Sequence, residues 1–325
     1  MPALADILNR RASEGEISIN PQNGSPLFKL PAEIRQDIWR LVVQAEDNPL
    51  RPFEVNSNYC RPGQLCFKKI HTALLLTCRQ VYLESFDLPL SRNTMTFWCY
   101  RGPRGEPAMA KYREQSPWQA AEAEYDEDDT PWHFEPFRRN ASIPIEYIKH
   151  AQWFVQQFWL ECDSFYFMTV SKEMANVETL IVTLRRSDFW NWEQLRPIGI
   201  DPRWPACVTS SRMKDIWSKD IAGTPIKAHP EAWGSHVANL KHLKLLVVEL
   251  EGEMTQHEEL KAIVEHAKYY WNFPHHSGKP MTCIGPIEVE EWQGPPCMAS
   301  RRRSFQRVSE RPHLIKYSIP FECHA

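Results

Sequence analysis

The chain has 325 residues, 42% of them hydrophobic and 24% charged, with a formal net charge of −3. That balance belongs to a globular protein able to bury a sizeable core. It counts against a chain whose main task is neutralising nucleic-acid phosphates or anionic lipid. The 13 Trp and 15 Phe supply a core or a binding face, with core packing the default for most of them.

Residues 1–24 read as a loose N-terminal tail. Asp6, Arg10 and Arg11 lie in it, and the apolar h-region of a secretory signal is missing. No apolar run approaches the ~20 residues needed to span a bilayer, so no membrane partner is expected. The 9 cysteines lack regular spacing and read as free thiols of a reducing compartment, the cytoplasm or nucleus.

The first strong pattern is SPLFKLPAEIRQDIWRLVV, Ser25 to Val43. Pro31 falls at the first turn of a helix, where its missing N–H costs nothing and its fixed φ is already helical. Leu30, Ile34, Ile38, Leu41 and Val42 then share one face at 3.6-residue spacing, with Glu33, Arg35, Gln36, Asp37 and Arg40 on the other. The connection Gln44 to Lys69 holds Pro49, Pro52, Pro62 and Gly63 and is long for a helix–helix loop, with room for a strand of its own. ALLLTCRQVYLESF, Ala73 to Phe86, predicts a second helix with Leu74, Cys78, Val81, Tyr82 and Phe86 as its stripe. Pro89 ends it, and Asn93 leads into a short β-type run, Thr94 to Trp98.

Three ordered groups of residues carry a resemblance. They are Leu30, Pro31, Glu33, Ile34, Arg35, Ile38 and Trp39; then Leu75, Thr77, Cys78, Arg79, Gln80, Val81, Tyr82 and Glu84; then Asn93, Thr94 and Phe97. Together they resemble the N-terminal module of a family of fungal F-box-like proteins, with LPxEIRxxIW, TCRQVYxE and NTxxF segments. The resemblance spans the first third of the chain. It implies a small helical module at residues 25–100 that docks on the Skp-type adaptor of a cullin–RING ubiquitin ligase. The remainder of the chain then selects an unknown protein substrate. Partner-binding roles follow for Leu27, Leu30, Pro31, Ile34 and Ile38 as helix-in-groove anchors. The alternative is a scaffold unconnected to ubiquitin, whose aromatic-rich body binds a protein or peptide. The Gln44–Lys69 insertion departs from the F-box pattern and leaves two fates for the stripe: outward onto an adaptor, or inward onto the chain's own body.

Residues 101–141 break the pattern, with RGPRGEP at the start and the acidic run Glu122 to Asp129 later, and read as a charged surface excursion. Residues 142–325 read as an α/β body, with α+β as the alternative class. Buried strands are predicted at Ala151–Val155, Val177–Leu184 and Leu243–Leu250, helices at Phe158–Glu173 and His257–Trp271, and late strands at Ile287–Trp292 and Leu314–Phe321. The lead-ins MANVETLIVTL and VANLKHLKLLVVEL resemble each other. They suggest a degenerate leucine-rich-repeat-like unit in a mostly parallel, curved sheet.

Chemical signatures are sparse, and neither a catalytic residue nor a cofactor is expected. Cys60, Cys66, Cys78 and His71 could supply soft ligands but lack paired metal spacing, so no metal site is expected. His257, His266, His275 and His276 read as surface or loop histidines. Neither a GxSxG elbow nor a phosphate-cradling glycine loop is present. Arg301, Arg302, Arg303 and Arg307 around Ser304 form the one concentrated basic patch. A solvated loop is its default, and nucleic acid is not an expected partner.

Overall fold

The computed structural model describes residues 4–53, 59–98, 145–190, 196–294 and 311–323. The stretch read as a loose tail opens with a helix, α1 (Leu4–Ser13). After it come α2 (Ala32–Val42) and an antiparallel hairpin of β1 (Glu46–Pro52) and β2 (Cys66–Lys69). The long connection therefore does carry strand structure. The second predicted helix is interrupted: a 3-10 turn at Ala73–Leu76 is separated from α3 (Arg79–Ser85) by Cys78, whose backbone is extended at φ −160° and ψ 164°. Cys78 is thus the N-cap residue of α3, and it packs at the margin of a small core. Pro89 lies inside the short α4 (Leu88–Ser91), near the helix start where proline is tolerated.

β3 (Thr94–Trp98) then pairs in parallel with β4 (His150–Phe154). The boundary near residue 100 therefore passes between neighbouring strands of one sheet. β4 pairs in parallel with β5 (Thr179–Leu184), and β5 with β6 (Leu245–Glu253). Between these strands lie α5 (Gln157–Leu160), α6 (Asp163–Thr169) and α7 (Ser210–Ile221). The predicted helix at Phe158–Glu173 is split because Cys162 is extended at φ −118° and ψ 176°. After β6 come α8 (His257–Tyr270), β7 (Asn272–Phe273), β8 (Met281–Cys283), β9 (Glu288–Gln293) and β10 (His313–Cys323).

The fold is α/β, with an eight-stranded sheet that is mixed rather than mostly parallel. β10 returns antiparallel to β6 along most of its length, and its far edge carries β8 and β9. Strands β3 to β6 follow one another in chain order, and among the described connections α5, α6 and α7 pack against one face of them. The core agrees. Ala151, Trp153, Leu180, Val182, Leu246 and Val248 on that face pack with Phe165, Met168, Met213, Leu260, Ile263 and Val264 of the helices. Each fully buried aliphatic side chain of this kind stabilises the fold by about 1.5–3 kcal/mol.

The two similar lead-ins run side by side but three residues out of their sequence match, because Thr179 pairs with Leu245 and so sets Val177 beside Leu243 rather than Leu240. Ile148, Val177 and Leu243 are buried one residue before Lys149, Glu178 and Lys244, at the starts of three neighbouring strands. The backbone N–H groups of Glu178 and Thr179 donate to the Lys149 carbonyl, and those of Lys244 and Leu245 donate to the Glu178 carbonyl. Both lysines reach the Glu178 carboxylate, with Lys149 Nζ at 2.8 Å, and their hydrogen bonds hold its pKa down to about 2.

Candidate functional site

The motif residues of the N-terminal segment are tied together by one carboxylate. Arg35 Nε and Nη2 donate to Glu84 at 3.0 and 2.7 Å, a bidentate arrangement that fixes orientation as well as charge. Trp39 Nε1 donates to Glu84 Oε2 at 3.0 Å, and Gln80 Nε2 donates to Oε1 at 2.7 Å. Gln36 reaches the Glu84 backbone carbonyl at 2.7 Å. Burial pushes the Glu84 carboxyl upward, but the hydrogen bonds from Arg35, Gln80 and Trp39 outweigh it and hold the pKa at about 2. Asn93 closes the other end of the module. Its Oδ1 accepts the Ala45 N–H at 2.6 Å, and its Nδ2 donates to the carbonyls of Val43 and Pro89 at 2.9 Å each.

These contacts decide which face α2 turns inward. The inward face consists of Arg35, Gln36, Trp39 and Val43, and Trp39 and Val43 form a small core with Val81 and Leu88. The apolar stripe is largely outward: Leu30 is 37% exposed, Ile34 48%, Leu41 71% and Val42 40%. Of the five predicted anchors, Leu30, Pro31 and Ile34 are exposed, whereas Leu27 and Ile38 are partly buried against the small core. Pro31 is the N-cap residue, and its carbonyl accepts the Arg35 N–H at 3.1 Å.

None of the described insertion residues packs on the small core beneath α2, and Ile70, just past the insertion's end, is the nearest chain neighbour that does. Its described contacts instead reach the sheet face opposite the helices. Tyr59 packs edge-on against Trp98 at 5.0 Å, and Gln64 Nε2 donates to Gln152 Oε1 at 2.8 Å. Arg61 Nη1 donates to Glu251 Oε2 at 2.7 Å, while its guanidinium sits 4.8 Å from the centre of the Phe154 ring.

That sheet face is an ordered polar surface. Trp98 stacks on Phe154 at 3.9 Å with planes 8° apart. Glu249 accepts from Thr183 Oγ1 at 2.6 Å, Lys316 Nζ at 3.0 Å, Ser318 Oγ at 3.2 Å and Gln152 Nε2 at 3.3 Å. Arg185 forms a bidentate pair with Asp188 at 2.7 and 2.9 Å and lies 5.2 Å from the centre of the Trp98 ring. The polar atoms of this row are turned toward one another, an arrangement suited to holding elements together rather than to activating a nucleophile.

A second buried network lies among the helices. Arg203 donates to both Asp201 and Asp220, with contacts between 2.7 and 3.0 Å, and the carboxylates have no exposed side-chain surface. His266 is buried, contrary to its expected surface position. Its ring lies between Trp217 and Tyr270, at 4.7 and 4.6 Å, and Nε2 is 3.0 Å from Asp220 Oδ2. Burial lowers its pKa to about 4, with Asp220 opposing and nearby Arg203 adding to the shift. A neutral imidazole donating from Nε2 to Asp220 satisfies this geometry.

The candidate metal set is not assembled. His71 pairs with Glu46 at 2.6 Å, and Cys60, Cys66 and Cys78 are half-buried free thiols. Among the described residues no group of three or more His, Cys, Asp or Glu is placed to hold a metal ion. No helix among them is long and apolar enough to cross a membrane. The acidic run Glu122–Asp129 and the basic patch of Arg301, Arg302, Arg303 and Arg307 lie outside the described residues. Comparison with protein families, characterised proteins and solved structures finds no match to this chain.

Proposed function

We propose that this chain is a non-enzymatic F-box-like interaction protein, in which the outward face of α2 takes a Skp-type adaptor and the α/β body selects a protein partner. The observation that carries the reading is the division of labour on α2. Its polar motif residues Arg35 and Gln36 are spent on Glu84, leaving Leu30, Ile34, Leu41 and Val42 exposed. A contiguous apolar helix face of this kind supports helix-in-groove docking. The test is co-expression of the full chain with a Skp-type adaptor, followed by purification of the pair. Ile34→Asp and Leu41→Asp are expected to abolish co-purification without lowering the melting temperature. Failure of the unaltered chain to hold the adaptor would overturn the reading.

The Gln44–Lys69 insertion, foreign to the F-box pattern, favours one second reading: a scaffold unconnected to ubiquitin that uses the same helix face. Proximity labelling separates them, because a scaffold recovers partners without cullin components.

A further inference from the structure

We infer that the outward face of α6 is a docking site for an arginine-bearing segment of a partner protein. Partner selection by the α/β body, proposed from the F-box-like resemblance, is the premise of this site.

Phe165, Met168 and Thr169 face the core and are buried to 2% exposure or less. The opposite stripe, Asp163, Tyr166, Phe167 and Val170, follows i, i+3, i+4, i+7 spacing and would ordinarily be polar on a surface helix. Here it is aromatic and apolar: Tyr166 is 40% exposed, Phe167 48% and Val170 50%. The Tyr166 and Phe167 rings lie 5.5 Å apart, and Tyr166 meets the His236 ring at 5.2 Å. Two rings held together beside open solvent offer faces on which a cation can stack.

Two carboxylates flank this surface. Asp163 stands at the start of the stripe, and Asp163 and Glu231 are the charged neighbours of His236. Glu231 is highly exposed, and its nearest partner is His229 at 4.0 Å. Neither carboxylate is paired with a Lys or Arg among the described residues. Lys172, the next cation along the chain, lies beyond the opposite end of α6. Aromatic faces flanked by unpaired carboxylates suit arginine better than lysine. A guanidinium stacks flat on a ring while its edge donates in a fork to a carboxylate. The apolar remainder of the stripe suits aliphatic residues next to that arginine.

The test is fluorescence anisotropy with the full chain and three labelled dodecapeptides, alternating Arg–Leu, Lys–Leu and Glu–Leu. The Arg–Leu peptide is expected to bind most tightly, more than tenfold tighter than Glu–Leu, with affinity falling as salt rises. A Tyr166→Ser, Phe167→Ser double variant is expected to lose at least about tenfold in affinity. Because an altered helix could unfold locally, Asp163→Lys provides an independent arm: a charge reversal at an exposed position that should invert the Arg-over-Glu preference. Equal binding of the Arg and Glu peptides, or undiminished binding by both variants, overturns the inference. Adaptor capture by the same preparations is measured in parallel. In the unaltered chain, absence of peptide selectivity with adaptor capture intact overturns this site alone, whereas absence of both overturns the wider reading as well.

Discussion

Arg61 and Glu251, 190 positions apart in the chain, meet at 2.7 Å with side chains 5% and 6% exposed. One belongs to the insertion between the two motif helices, and the other to the longest parallel strand. The insertion thus fastens the N-terminal module to the sheet, since Arg61 also stacks over Phe154.

Removing Arg61 leaves the buried Glu251 carboxylate with only the attraction of Arg185 and the Arg186 backbone N–H, so Arg61→Ala is expected to destabilise the protein by about 3 kcal/mol. Replacing both residues, as in Arg61→Met with Glu251→Leu, should recover most of that loss because no charge is then stranded. Urea titration of the single and double variants gives the cycle. A single variant costing under about 0.5 kcal/mol, the range of an ordinary surface change, would show that the pair is not a fastening.

Acid should unfold the protein in two separable windows. Glu84 is held at about 2 against an ordinary 4.5, so its contribution is complete above pH 4.5 and is lost as pH falls toward 2. His266 is lowered from 6.5 to about 4. The unfolded chain takes up that proton more readily, so stability is full above pH 6.5 and declines as pH falls to 4, by on the order of 3 kcal/mol. Glu84→Gln should shrink the lower window, to which Glu178 also contributes, and His266→Gln should flatten the upper one. Denaturation midpoints measured from pH 7 to pH 2.5 check both, and NMR should find the His266 ring titrating near 4.

Much of the sheet was legible because its core strands are apolar runs. The predicted strand Val177–Leu184 corresponds to β5, and Leu243–Leu250 to all but the last residues of β6. What escaped detection depends on residues far apart in sequence. Glu249 and Thr183 look like blemishes in apolar runs until the fold brings them to 2.6 Å. His266 reads as a polar helix residue because its partners Arg203 and Asp220 come from other segments. α7 did carry a local signal: Thr209 accepts the Arg212 N–H as an N-cap, and Met213 and Ile216 supply the inward spacing. Its third inward residue is Asp220, which breaks the apolar pattern.

The orientation of α2 stayed open for the same reason, and it yields the sharpest comparison of substitutions. Apolar periodicity selects the stripe of Ile34 and Leu41, but Glu84 draws in Arg35 and Trp39 from 49 and 45 positions away. If that face is the inner one, Trp39→Ala removes a side chain that is 1% exposed together with its hydrogen bond. The expected cost is about 3–5 kcal/mol. Ile34→Asp and Leu41→Asp, which change exposed side chains, should each stay within about 0.5 kcal/mol of the unaltered protein. Thermal and urea unfolding of the three variants decide it. A large loss in the Asp variants with little loss for Trp39→Ala would place the apolar stripe inside, and no face of α2 would then remain for a partner.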